Sequence, residues 1–226
     1  AGPRKGLARF MSLKGEAEGF EAAPENALQF LSFSVDTAEL YDTLLEMLKD
    51  ADEAQHQRMR DQIDDFEKEA GISLRNDLFP AFGPRVTTTS VLPPDGLLPD
   101  SVTGLEIRNV EAFDKCLKSI LRNVPAELGE LDFRGRKIQY FTFPQPGRGF
   151  EPARVILSSS YFLREGNRLV VSSAAAGSGG PSALKRHILR LDKPRLAAHP
   201  SIQQWLGGKT GGASLVTYIN LEQAFP

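Results

Sequence analysis

The chain has 226 residues, 41% apolar and 25% charged, enough to bury a core without disulfides or metal. A net charge of −2 and a pI near 6.0 exclude a strong overall attraction to nucleic acid or anionic membrane. Cys116 is the only cysteine, so no internal disulfide can form, and no apolar run approaches the ~18 residues that cross a bilayer.

Residues 1–24 read as an incoming segment rich in Gly, Ala and Glu, with Leu7, Phe10, Met11, Leu13 and Phe20 as its sizeable anchors. A strand is expected over 27–35. It runs into Asp36, whose side chain suits the first cap of a helix, with Glu39 three residues on as in a capping box. Leu40, Tyr41, Leu44, Leu45 and Leu48 then recur near the helical period over about 37–50. A second, highly charged helix follows at about 52–70, with Met59, Ile63 and Phe66 as a thin stripe and Gly71 placed to stop it. Ser73 is positioned to start a short turn through Asp77 and Leu78.

The β-branched stretch Arg85–Leu92 reads as a strand, and Pro93-Pro94-Asp95-Gly96 breaks the chain. Ser101–Arg108 is the next strand and ends at Asn109, a second helix cap. Val110, Phe113, Leu117, Ile120 and Leu121 mark a helix at about 110–123. A hairpin is expected around Arg134-Gly135-Arg136, then a Pro/Gly-rich loop over 144–152. Strands follow at 155–163 and 168–173 about the turn Glu165-Gly166-Asn167. A loop over 174–182 leads to a helix at about 182–191, and a short helix lies near 200–206. Leu215–Ile219 is a third strand running into a cap residue, Asn220, with Gln223 three places on.

These three strand-to-cap passages predict one recurring strand-to-helix unit. Their faces are offset, because Leu31, Phe33 and Val35 alternate one residue out of step with Leu105 and Ile107 when counted back from the cap. The hairpins predict an α+β fold with a largely antiparallel sheet carrying amphipathic helices. The expected organisation is the segment 1–24, an α+β domain over 25–206 divisible into 25–95 and 96–206, and the start of a further unit over 207–226. The chain reads as part of a longer protein.

Chemical motifs are sparse. Gly207-Gly208-Lys209-Thr210 ends like a phosphate-binding loop, but Gln203 stands where that loop needs Gly, and a strand rather than a helix follows. Ala176–Gly180 reads as a mobile loop. His56, His187 and His199 lack ligand spacing and read as solvated or locally paired. The acids Asp61, Asp64, Asp65, Glu67 and Glu69 read as a solvated helix face. Arg134, Arg136, Lys137 and Arg148, beside Tyr140, Phe141 and Phe143, form the one basic-aromatic grouping, set against the chain's overall charge. Cys116 reads as a small buried residue.

Several segments together resemble the bacterial domain-of-unknown-function family 3352 and related exported proteins. They are Arg168–Ser173 leading to Ala183-Leu184-Lys185, then Leu196-Ala197-Ala198-His199-Pro200, and Leu215–Ile219 ending at Asn220-Leu221. Pro24-Glu25-Asn26-Ala27 is similar to that family's entry to its first strand, and Gly71-Ile72-Ser73-Leu74 with Asp77-Leu78, Gly83 and Arg85–Val91 is similar to its central segment. The resemblance covers residues 24–226. It implies an envelope or exterior location and an α+β repeat scaffold, and it supplies no catalytic residues.

The functional expectation is a non-enzymatic extracytoplasmic binding or structural module, without cofactor or metal. Its partner is expected to be a protein or an envelope component rather than nucleic acid. Its working surface is expected in the loops 144–153 and 174–181 and at the hairpin turn, with Arg148, Phe150, Ser178, Arg134 and Arg136 as candidate interaction residues. Two alternatives are a carrier holding an apolar ligand between sheet and helices, and a hydrolase whose residues are dispersed along the chain.

Overall fold

The computed structural model describes residues 19–93, 99–124, 127–142, 160–173, 181–206 and 215–221. In chain order the elements are β1 (Gln29–Ser34), α1 (Thr37–Ala51), α2 (Glu53–Ala70), β2 (Phe82–Val91), β3 (Asp100–Ile107), α3 (Val110–Asn123), β4 (Glu127–Phe133), β5 (Arg136–Thr142), β6 (Ser160–Glu165), β7 (Arg168–Ser173), α4 (Pro181–Leu189), α5 (Pro200–Leu206) and β8 (Leu215–Ile219). The strands form one antiparallel sheet in the order β4-β5-β6-β7-β3-β2-β1-β8. This is an α+β fold, as the hairpin-rich sequence predicts. Among the described residues no helix is long and apolar enough to cross a membrane.

Caps fix where strands hand over to helices. Asp36 accepts from the amides of Ala38 and Glu39, both at 3.0 Å. Asn109 accepts from the amide of Ala112 at 3.0 Å. Asp52, between α1 and α2, accepts from the amide of Gln55. Each supplies an acceptor to donors that lack an intrahelical partner. Gly71 ends α2 at φ 65, a left-handed conformation that glycine adopts without a Cβ penalty. Ser73 starts a single wide turn, Leu74–Leu78.

Strand alternation divides the core between two faces. On one face α3 buries Phe113 and Ile120 against Ile107, Phe141, Phe162 and Leu169. On the other α4 buries Ala183, Leu184 and Ile188 against Val102, Ile138, Leu163 and Val170. On this second face Phe20, Phe30, Leu196, Ile202 and Val216 form a further cluster over β1 and β8. The segments that cover it are stitched together: the amide of Leu196 donates to the carbonyl of Ala23 and that of Glu25 to the carbonyl of Pro194, both at 2.9 Å.

Several sequence expectations need correction. β2 starts at Phe82 rather than Arg85, and β6 ends at Glu165 rather than Leu163, while residues 155–159 lie outside the described residues. On β1 the fully buried side is Phe30, Ser32 and Ser34, while Leu31 and Phe33 are half-buried. The stripe of α1 is only partly covered, with Leu44 49% exposed, and α1 packs mainly on α2. Phe33 pairs with Val86 and Val86 with Leu105, so the two apolar sets share one sheet face. The β2–β3 pairing carries a register shift between Phe82 and Val86. β8 pairs antiparallel with β1 at the sheet's edge.

Candidate functional site

On the α4 face, near one end of the sheet, the apolar cover gives way to a polar cleft of about 310 Å³. Its floor is backbone and short side chains from β2 and β3. Thr87 pairs with Gly104, and Gly104 pairs with Val170, so these positions face α4 along with Val170. Arg85 and Glu106 follow at the same period of two. Arg168 and Glu165, at the β6–β7 turn, flank them, and Asn167 closes that end. The walls are the turn Gly19–Ala22 and the stretch from Leu191 to Arg195.

Two glycines shape the floor and wall. Gly104 lets the Arg168 guanidinium lie directly on the strand: a Cβ there would sit 2.2 Å from Nη2 and 2.5 Å from Cζ. Gly19 stands at φ 131, where its Cβ would meet the Thr87 methyl at 3.0 Å. Arg168 Nη2 donates to Thr87 Oγ1 at 2.5 Å. The Thr87 hydroxyl in turn reaches the Gly104 carbonyl at 3.5 Å. Arg195 donates to the carbonyl of Leu191.

Three arginines (Arg85, Arg168, Arg195) and three glutamates (Glu21, Glu106, Glu165) line the cleft. Burial pushes the Arg168 guanidinium below its ordinary range; Glu165 and Glu21 oppose this, while Arg195 and Arg85 add to it. Glu165 is drawn to one side. Its Oε1 lies 3.3 Å from His187 Nε2 and 3.6 Å from Arg136 Nη1. Burial alone would raise the Glu165 carboxyl, but His187, Arg168 and Arg136 outweigh it and hold it below the usual carboxylate range. Beneath α4, Asp100 is buried and paired with both Nε and Nη2 of Arg186, which anchors the helix carrying His187.

Of the residues proposed from sequence, Arg136 reaches the edge of this network through Glu165, and Arg134 stands at the β4–β5 turn with φ 54. Arg148, Phe150 and Ser178, the loops that carry them, and Gly207–Gly212 lie outside the described residues. Of the basic-aromatic grouping, Phe143 and Arg148 lie outside the described residues. Lys137 is paired with Glu130 at 2.7 Å, Phe141 is buried against Phe162, and Tyr140 packs on Tyr161. His187 is buried and locally paired with a carboxylate, one of the two expectations from sequence. Cys116 is buried on α3, and burial pushes its thiol up.

Sequence reasoning missed the cleft because its residues are spread from Gly19 to Arg195. The available signal was the charged pair Arg85 and Glu106, each at a period of two from a small residue, Thr87 or Gly104, inside an expected strand. A second was His187 sharing a helical stripe with Leu184 and Ile188.

None of the family models, curated proteins or solved structures compared with this chain matches it.

Proposed function

We propose that this protein is a non-enzymatic binding module whose recognition site is the polar cleft between β2, β3 and β7. One observation carries the reading: the cleft gathers six charged side chains over a glycine-flattened floor, at a volume near the lower end of the ~300–1,000 Å³ typical of small-molecule sites. The resemblance to exported proteins supports an extracytoplasmic setting, with the strand-to-helix units as framework. The polar lining favours a small polar ligand over an apolar one, since an apolar ligand would leave desolvated charges without partners.

A thermal-shift screen with small polar compounds tests this, run on the wild type and on Arg168→Gln. Compounds that raise the wild-type melting temperature and leave the variant unmoved support the cleft. Stabilisation that persists in the variant, or none at all, counts against it.

A second reading is a hydrolase in which the Glu165–His187 pair activates water. The 3.3 Å contact between the buried His187 and Glu165, which lines the cleft, favours it. Turnover of small ester or amide substrates that disappears in His187→Gln would establish this reading over the first.

A further inference from the structure

The cleft holds charges of opposite sign that act on one another through space, as Glu165 and Glu21 do on Arg168, and several of them stay short of direct contact. Glu165 is engaged by His187 and Arg136. Arg168 and Arg195, by contrast, form no ion pair among the described residues, and neither do Glu106 and Glu21. Arg168 is held in place by its seat on Gly104 and its bond to Thr87, and Arg195 by the Leu191 carbonyl. Glu106 is held similarly, packed where a Cβ on Gly83 would come within 2.6 Å of its carboxyl carbon. Arg168, Arg195 and Glu106, held in place without a direct ion pair, and Glu21, exposed at the rim, offer both signs of charge in one small cleft and are complementary to a molecule that carries both.

Building on the reading of this cleft as a binding site, we propose that its ligand is a small zwitterion, an α-amino acid or short peptide. Its carboxylate would meet Arg168 and Arg195, and its ammonium group would meet Glu106 and Glu21. A guanidinium fork suits a planar carboxylate, and two carboxylates suit an ammonium group. Glutamates stand among the arginines of the lining, so a simple anion would meet like charges as well as cations. A doubly charged phosphate would meet the glutamates as like charges.

Isothermal titration calorimetry tests this with L-alanine, L-alanyl-L-alanine, the N-acetylated dipeptide, the dipeptide amide and inorganic phosphate. The account expects a zwitterion to bind at least tenfold more tightly than either capped form and than phosphate. Glu106→Gln should abolish that preference while leaving the weak binding of the acetylated dipeptide unchanged. Arg168→Gln and Arg195→Gln should each weaken the zwitterion about tenfold, with circular dichroism confirming that every variant is folded. Equal or tighter binding of phosphate or of the acetylated form would make this an anion site and overturn the proposal. Tighter binding of the amide, or no binding of either zwitterion at millimolar concentration, would overturn it as well. Should another polar compound bind the cleft while the zwitterions do not, this inference falls and the binding-module reading stands.

Discussion

Gly104→Ala probes the cleft without altering any charged group. The added Cβ would lie 2.2–2.5 Å from three atoms of the Arg168 guanidinium, where ordinary contact begins at 3.4 Å. The guanidinium must therefore retreat by an ångström or more, and its 2.5 Å bond to Thr87 Oγ1 breaks. A hydrogen bond involving a charged group contributes ~1.5–3 kcal/mol, here discounted because Arg168 is only half-buried and water replaces part of it. Alanine in a strand returns ~0.5–1 kcal/mol relative to glycine. The expected net loss is about 1 kcal/mol, or roughly 2–4 °C in melting temperature for a chain of this size. In an Arg168→Ala background the obstacle is gone, and Gly104→Ala should be neutral or slightly stabilising. Urea unfolding of the wild type, both single variants and the double variant gives the coupling as a double-mutant cycle, expected at about 1–2 kcal/mol. An equal cost of Gly104→Ala with and without Arg168 would refute the seating of the guanidinium on the strand.

Three further outcomes follow from the same structure. Replacing Asp36 or Asn109 by Ala should each cost about 1 kcal/mol in chemical denaturation, because each removes a cap acceptor at the start of α1 or α3; no change at either site would show that cap to be redundant. Glu165 has a lowered folded-state pKa, so its contribution is present above its unfolded value near 4.5 and is lost as the pH falls through the depressed folded value. Glu165→Gln should therefore flatten the acid limb of the stability curve, and an unaltered limb would contradict the His187–Glu165–Arg136 assignment. Leu184, fully buried between α4 and the sheet, should lose ~2–5 kcal/mol on replacement by Ala, and a loss below 1 kcal/mol would mean that α4 is not packed as described.

Local chemistry made the framework legible. Asp36 and Asn109 announce helix starts because a cap needs only its own side chain and the next few amides. Gly71 marks a helix end for an equally local reason. Gly135 marks the β4–β5 turn because glycine takes its positive φ without a Cβ penalty. Burial was harder to read. Ser32 and Ser34 lie on the covered side of β1 while Leu31 and Phe33 are only half-covered, which inverts the rule that the more apolar side faces inward. That inversion depends on where the segments around Phe20 and Leu196 land, and local pattern does not encode this. The cleft was the least legible feature. Glu21, Arg85, Glu106, Arg168 and Arg195 meet only after the strand order β7-β3-β2 is known.

The most direct test of the central claim is amide chemical-shift mapping with the ¹⁵N-labelled protein and L-alanyl-L-alanine. The account predicts shifts confined to the cleft, at Gly19, Thr87, Gly104, Asn167 and the neighbours of Arg168, and their disappearance in Arg168→Gln. Shifts concentrated instead on the open groove beside α3, around Asn76, Lys115 and Ser119, would contradict it.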